Sequence, residues 1–240
     1  MYEPRWYRNQ CAESKLEQFF VRYQESDLCI RSETNLSSLA YNILIRVRKE
    51  LEAYIIRHSE FGRSLVPVSV LGDAPDIAQE MAQAALKTGV GPMAAVAGAV
   101  NHALACELMH FGHTLIIENG GDIFASSHEP VMIALYAGNS PLSMHLALKV
   151  DASGGVGVCT SSGTVGHSLS FGKADAVTII ANDCILADAA ATAIGNQVNS
   201  RDDFNAAIEF AKTIEDISGV IIVQGDRIAA WGKKFEIVGI

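Results

Sequence analysis

Basic side chains are scarce in this 240-residue chain: 18 Lys and Arg face 27 Asp and Glu, a formal net charge of −9. A surface of that sign repels the phosphates of nucleic acid and the headgroups of anionic lipid, so neither is an expected partner. Charge of either sign is thin, at 19% of residues, and aromatics make up 7%. Charge-rich disorder and coiled coil are thereby excluded, while 49% hydrophobic residues suffice to fill the core of one large domain. No apolar run reaches the roughly 20 residues of a spanning helix. The least charged stretch, 88–106, is broken by Asn101 and His102 and reads as a buried helix. The five cysteines (Cys11, Cys29, Cys106, Cys159, Cys184) are widely spaced, odd in number and without a CxxC pair, as expected in a reducing compartment. The opening MYEPRWYRNQ has neither an apolar signal core nor a lipidation pattern. The expectation is a cytoplasmic protein with an N-terminal tail over 1–18, loose or in contact with a second copy in a homo-oligomer, and a single domain over 19–240.

What is present is a regular punctuation. Phe19-Phe20-Val21 and Leu28-Cys29-Ile30 flank a polar turn and predict two short strands. Apolar residues at helical spacing predict an amphipathic helix over 36–56, and a second helix over 76–87 follows the loop cluster at 72–75. Gly91-Pro92 interrupts it, and a small-residue helix resumes over 93–110. Strands are predicted at 114–118, 123–126, 131–136, 144–150, 176–181, 220–223, 227–231 and 235–238, with 153–172 a Gly/Ser/Thr-rich connection. A helix capped by Asn182 or Asp183 runs through Thr192, and Ser200 with Asp203 forms a capping box for another, to about Ile214. Strands in turn-linked pairs, with helices paired between them, indicate an α+β fold: antiparallel sheets packed against helix pairs.

Three segments carry chemistry. In Ala187–Ala193, ADAAATA, the spacing puts Asp188 and Thr192 on one helix face among alanines. Two hard oxygens suit Mg²⁺, whose shell is usually completed by water and substrate phosphate. The alternative is a solvated Asp188 and a Thr192 hydroxyl bonded back to the helix. Glu118-Asn119-Gly120-Gly121-Asp122 is a hairpin turn, which also lets a flat ring or a phosphate approach the backbone. Residues 154–168, GGVGVCTSSGTVGHS, offer many N–H and hydroxyl donors but no P-loop lysine. Within them Cys159 is either a reactive thiol or a small apolar residue, and His167 is an acid/base candidate. Between Ala74 and Gly172 the only Lys or Arg residues are Lys87 and Lys149, although six of the seven histidines lie there. An anion bound in this span must be neutralised by backbone amides and a divalent metal. A zinc site from His102, His110 and His113 is the rival reading.

TSSG followed by GH, the later ADAAATA and the earlier GGD together resemble the ApbE-like superfamily, the FAD:protein FMN transferases. With ESDL (residues 25–28), VGPMAAVAG (90–98) and ENGGD, the pattern is most similar to uncharacterised protein family 0280, over about 19–240. The resemblance implies a duplicated T-fold. It implies Mg²⁺ held by Asp188, Thr192 and a main-chain carbonyl matching Ala94. It also implies flavin contacts at Gly120 and Gly121, a TSG segment matching Thr160, Ser161, Ser162 and Gly163, and a catalytic histidine matching His167. Glu118, Asn119 and Asp122 complete the turn's candidate set. There are departures. His167 is followed by SLSFGKADA instead of opening H-x-x-D-P-x-T-G, Ala97 replaces a lysine, and Glu118 stands where the family has asparagine. The expected function is Mg²⁺-dependent binding of a flavin nucleotide, FAD, with transfer of FMN to Thr or Ser of an acceptor protein. The alternatives are a non-transferase flavin- or small-ligand-binding accessory of redox or sulfur metabolism, and an oligomer scaffold.

Overall fold

The computed structural model describes residues 16–164 and 171–240. Alternating apolar residues in β1 (Glu17–Tyr23) and β2 (Ser26–Ser32) pair across a two-residue turn. Helices α1 (Ser37–Arg57) and α2 (Asp76–Thr88) follow, then a 3-10 turn (Pro92–Ala95) leading into α3 (Val96–Leu108). β3 (Leu115–Asn119) and β4 (Asp122–Ser126) form the next hairpin, and β5 (Val131–Ala134) and β6 (Leu146–Val150) another pair. After β7 (Val156–Ser161) and β8 (Ala176–Ala181) come α4 (Cys184–Gly195) and α5 (Phe204–Thr213). The chain closes with β9 (Ile217–Gln224), β10 (Arg227–Gly232) and β11 (Phe235–Gly239).

Eight strands form one antiparallel sheet in the order β1-β2-β3-β4-β7-β8-β9-β10, and β11-β6-β5 form a second sheet. The helices cover one face of the large sheet. Phe19, Leu28, Ile30, Leu115 and Ile117 pack under α1 to α3, while Val177, Ile179, Val220 and Ile222 pack under α4 and α5. Val156, Val158, Ala176, Ile180 and Ile221 point the other way, onto the small sheet. Period-2 alternation thus feeds two cores from one sheet, and the fold is α+β with antiparallel sheets, as expected.

Several boundaries differ from expectation, among them the following three. Strand β1 begins at Glu17, inside the predicted tail. β6 begins at Leu146, because Met144 takes a left-handed φ of 61° that a strand does not accept. The predicted connection over 153–172 contains β7, a fully paired strand between β4 and β8. Its small and polar residues read as loop, but close packing against α4 demands small residues there. No single described helix is long and apolar enough to cross a membrane; α2 with residues 92–111 passes by length and composition but is bent by 104°.

Candidate functional site

The two-residue hairpin between β3 and β4 is built by Gly120 and Gly121, with Gly120 at φ 82°. A turn of this kind needs positive φ, which glycine alone adopts without cost. Asn119 pairs with Asp122, and Asp122 pairs in turn with Cys159 of β7. Directly opposed residues share a face. Cys159 packs in the core under α4, so Asn119, Asp122, Cys159 and Ser161 all lie on the helix side of the sheet. Glu118 and Thr160 lie on the opposite side, where the Thr160 hydroxyl hydrogen-bonds that of Thr178 at 2.8 Å. Backbone contact still joins the two loops, since the Thr160 N–H donates to the Gly121 carbonyl at 3.1 Å.

Helix α4 runs over this face, its first turn capped by Asp183, which accepts from the Ile185 N–H at 2.9 Å. It meets α3 so closely that a Cβ on Gly98 would lie 2.3 Å from the Cys184 carbonyl oxygen and 2.9 Å from Asp188 Cβ. The close approach lets Asp188 reach the start of α3, where its Oδ2 accepts from the Gly98 N–H at 2.8 Å. In an uninterrupted helix that N–H would go to the carbonyl of Ala94. A carboxylate at a helix N-terminus is favoured by the helix dipole. Here, however, burial and then the Asp122 carboxylate push the Asp188 carboxyl well above the ordinary range, against the pull of the Gly98 and Ala97 amides. Asp122 and Asp188 therefore repel each other across a partly buried space.

The local chemistry around that pair is oxygen-rich. Thr192, one turn beyond Asp188, is partly exposed, and its hydroxyl makes no hydrogen bond to another described residue. Asp188 is not freely solvated, since its Oδ2 is held by the Gly98 N–H. Asn101 of α3, fully buried, donates from Nδ2 to the Asp122 carbonyl at 2.9 Å. Its Oδ1, and the hydroxyl of Ser161, are buried without a hydrogen-bond partner among the described residues. Sequence reasoning passed over Asn101, although a lone amide in an Ala- and Val-rich helix was the signal.

The remaining predicted residues fall as follows. Ser162 and Gly163 continue from β7 at the end where the glycine turn lies, and Ala94 sits in the 3-10 turn before α3. His167 lies outside the described residues. Cys159 is buried with its Sγ 3.6 Å from that of Cys184, and burial pushes its thiol well up, which removes the reactive-thiol reading. The rival zinc set is not assembled. His102 faces Cys106, His110 Nδ1 lies 3.1 Å from the Glu107 carbonyl oxygen, and His113 stacks near His128. α3 ends at Leu108, and the 3-10 turn over Met109–Phe111 that follows stops at Gly112, so the three histidines do not share one helix face. Among the described residues, no three His, Cys, Asp or Glu side chains converge on a metal position. Lys87 and Lys149, the two cations of the central span, pair elsewhere, with Asp216 at 3.6 Å and Glu236 at 3.7 Å.

A family model described as "AbpE bacteria" matches residues 8–222. A UPF0280 protein of Methanococcus aeolicus is 44% identical over 207 residues, covering 84% of each chain. Another, from Methanocaldococcus jannaschii, is 45% identical over 205 residues, covering 83% of each chain. Among solved structures, the flavin transferase ApbE of Vibrio cholerae superposes with a TM-score of 0.62 at 13% identity, covering 91% of this chain and 97% of that one. The apo flavinyl transferase ApbE of Pseudomonas stutzeri gives 0.60 at 13% identity, with 92% and 95% covered. At such identities the likeness is one of fold.

Proposed function

From the premise that the chain belongs to the UPF0280 branch of the ApbE-like superfamily, we propose that it is a flavin-nucleotide protein that takes FAD together with Mg²⁺ between α3, α4 and the Gly120-Gly121 turn. The observation that carries this reading is the Asp188 carboxylate, set at the start of α3 and opposed by Asp122. Such a site has excess negative charge and relaxes when a cation enters. Asp188, the Thr192 hydroxyl and the Ala94 carbonyl are hard oxygen donors, suited to Mg²⁺ and not to a thiophilic metal. Mg²⁺, when bound, supplies a Lewis acid and a bridge to a diphosphate.

The chain's own residues do the rest. The glycine turn leaves its backbone open to a flat ring, with Asn119 and Asp122 at its base and Glu118 on the far side. At the adjoining strand end Ser161 offers a buried hydroxyl without a partner among the described residues, followed by Ser162 and Gly163, while Thr160 positions the turn through its N–H to the Gly121 carbonyl. In the transferase version His167 takes the proton of an acceptor protein's Thr or Ser hydroxyl. The hydroxyl oxygen then bonds to the FMN phosphorus as the bond to AMP breaks and AMP departs. SLSFGKADA after His167, in place of the transferase stretch, favours a second reading, in which the nucleotide is bound without transfer.

A thermal-shift panel of FAD, FMN and AMP with and without Mg²⁺ tests the binding. A ligand at 100 times its Kd stabilises by about 2.7 kcal/mol. FAD is expected to do so only with Mg²⁺, and Asp188→Ala to abolish the effect. An equal response without metal, or in the variant, overturns the metal role. Release of AMP from FAD in the presence of a threonine-bearing acceptor peptide then separates transfer from binding alone.

A further inference from the structure

Asn101 is costly where it stands. An asparagine side chain competes for backbone hydrogen bonds and weakens a helix interior, yet this one lies midway along α3. It is fully buried, in a helix whose other buried residues are glycine or apolar. Its Oδ1 has no hydrogen-bond partner among the described residues and so bears the full cost of lost hydration. An apolar side chain would avoid all three costs. Folding alone gives no reason for an amide here.

What the amide gains is one bond. Its Nδ2 donates to the Asp122 carbonyl at 2.9 Å, and Asp122 is the residue by which the chain leaves the Gly120-Gly121 turn. One helical turn earlier, the Gly98 N–H donates to Asp188 at 2.8 Å. Residues three apart share a helix face. A single turn of α3 therefore holds both the Asp188 carboxylate of α4 and the exit of the glycine turn, and rigid helix sets the spacing between them. The other side of the turn is tied to β7 by the Thr160 N–H, which donates to the Gly121 carbonyl at 3.1 Å. Ser161, next along, has a buried hydroxyl without a partner among the described residues. Both orphaned atoms thus belong to residues adjoining this turn, and unsatisfied polar groups gathered at one place mark a position kept at a cost to stability.

We propose that Asn101 is a positioning residue: it fixes the Gly120-Gly121 turn at a set distance from Asp188, so that a flavin ring lying on the turn carries its phosphates to that carboxylate. Asn101 touches neither the ring nor the phosphates and acts through the Asp122 backbone. The ring's place on the turn rests on the flavin reading above; the fixing of the turn does not.

The test uses the full chain, free of ligand, and compares amide hydrogen exchange in the parent and in Asn101→Ala. Loss of the buried hydrogen bond is expected to speed exchange at residues 119–123 and at Thr160 by about tenfold beyond any change at residues 220–222 of β9. An equal factor at both places, which a general loss of stability produces, overturns the proposal, as does no change at the turn. Asn101→Thr, close in size and with a hydroxyl too short to reach Asp122, repeats the measurement where the alanine variant does not fold. Failure of both variants to fold assigns Asn101 to the core and also overturns it. Titration with FMN, and with FAD plus Mg²⁺, then reads the ring: both are expected to bind Asn101→Ala about tenfold more weakly. Unchanged affinity alongside a loosened turn overturns the role in holding the ring. A parent that binds neither flavin while the exchange result holds removes the flavin reading and leaves the positioning of the turn standing.

Discussion

At Asp188 two demands conflict. Its carboxylate caps the first amides of α3 at 2.8 Å, yet burial and the Asp122 charge make ionisation unfavourable. An acid whose folded pKa is raised loses stability for the fold as pH climbs from its unfolded value toward its folded value. Asp188→Asn keeps an oxygen to accept from Gly98 and removes the charge. The variant is therefore expected to melt higher than the unaltered chain at neutral pH without metal, with the difference vanishing below the ordinary carboxylate range. Melting curves between acid and neutral pH check this, and a variant that melts lower at neutral pH contradicts the assigned strain. The Asp188 and Thr192 pairing was legible in the sequence because one helical turn is a local distance. The approach of Asp122 was not, since it depends on β4 lying beside β7.

Elements show the same division. Capping and periodicity are written locally: the Ser200 and Asp203 box is present, with Asp203 Oδ2 accepting from the Ser200 N–H at 2.8 Å. Ser200→Ala is expected to cost about 1 kcal/mol, measured by urea unfolding with unchanged m. Strand β7 was hidden because glycine and serine are weak strand formers whose role here is steric. The α3 and α4 contact obeys the same logic. Gly98→Ala places a methyl 2.3 Å from the Cys184 carbonyl oxygen, where only backbone movement can relieve it. Destabilisation of about 1–3 kcal/mol is expected, together with weaker Mg²⁺-dependent FAD stabilisation as Asp188 is displaced. A variant as stable as the parent would show that the helices separate freely.

For the whole molecule, burial sorts the thiols. Cys29, Cys159 and Cys184 are buried, and Cys106 is exposed. Of these four described cysteines, titration with an aromatic disulfide reagent is expected to modify Cys106 in the native protein and Cys29, Cys159 and Cys184 only after denaturation. Rapid native reaction at Cys159 or Cys184 would mean that β7 and α4 open readily. Charge scarcity, the turn chemistry of Gly120-Gly121, the helix spacings and the alternating strands were decided by the sequence alone, because each depends on neighbours a few residues away. The tertiary structure decided the rest: that β11 leaves β10 to pair with β6, that β7 is a central strand, and that Asn101, Asp122 and Asp188 meet. Strand partners and helix contacts are chosen by the burial of surfaces far apart in the chain, and no local pattern encodes that choice.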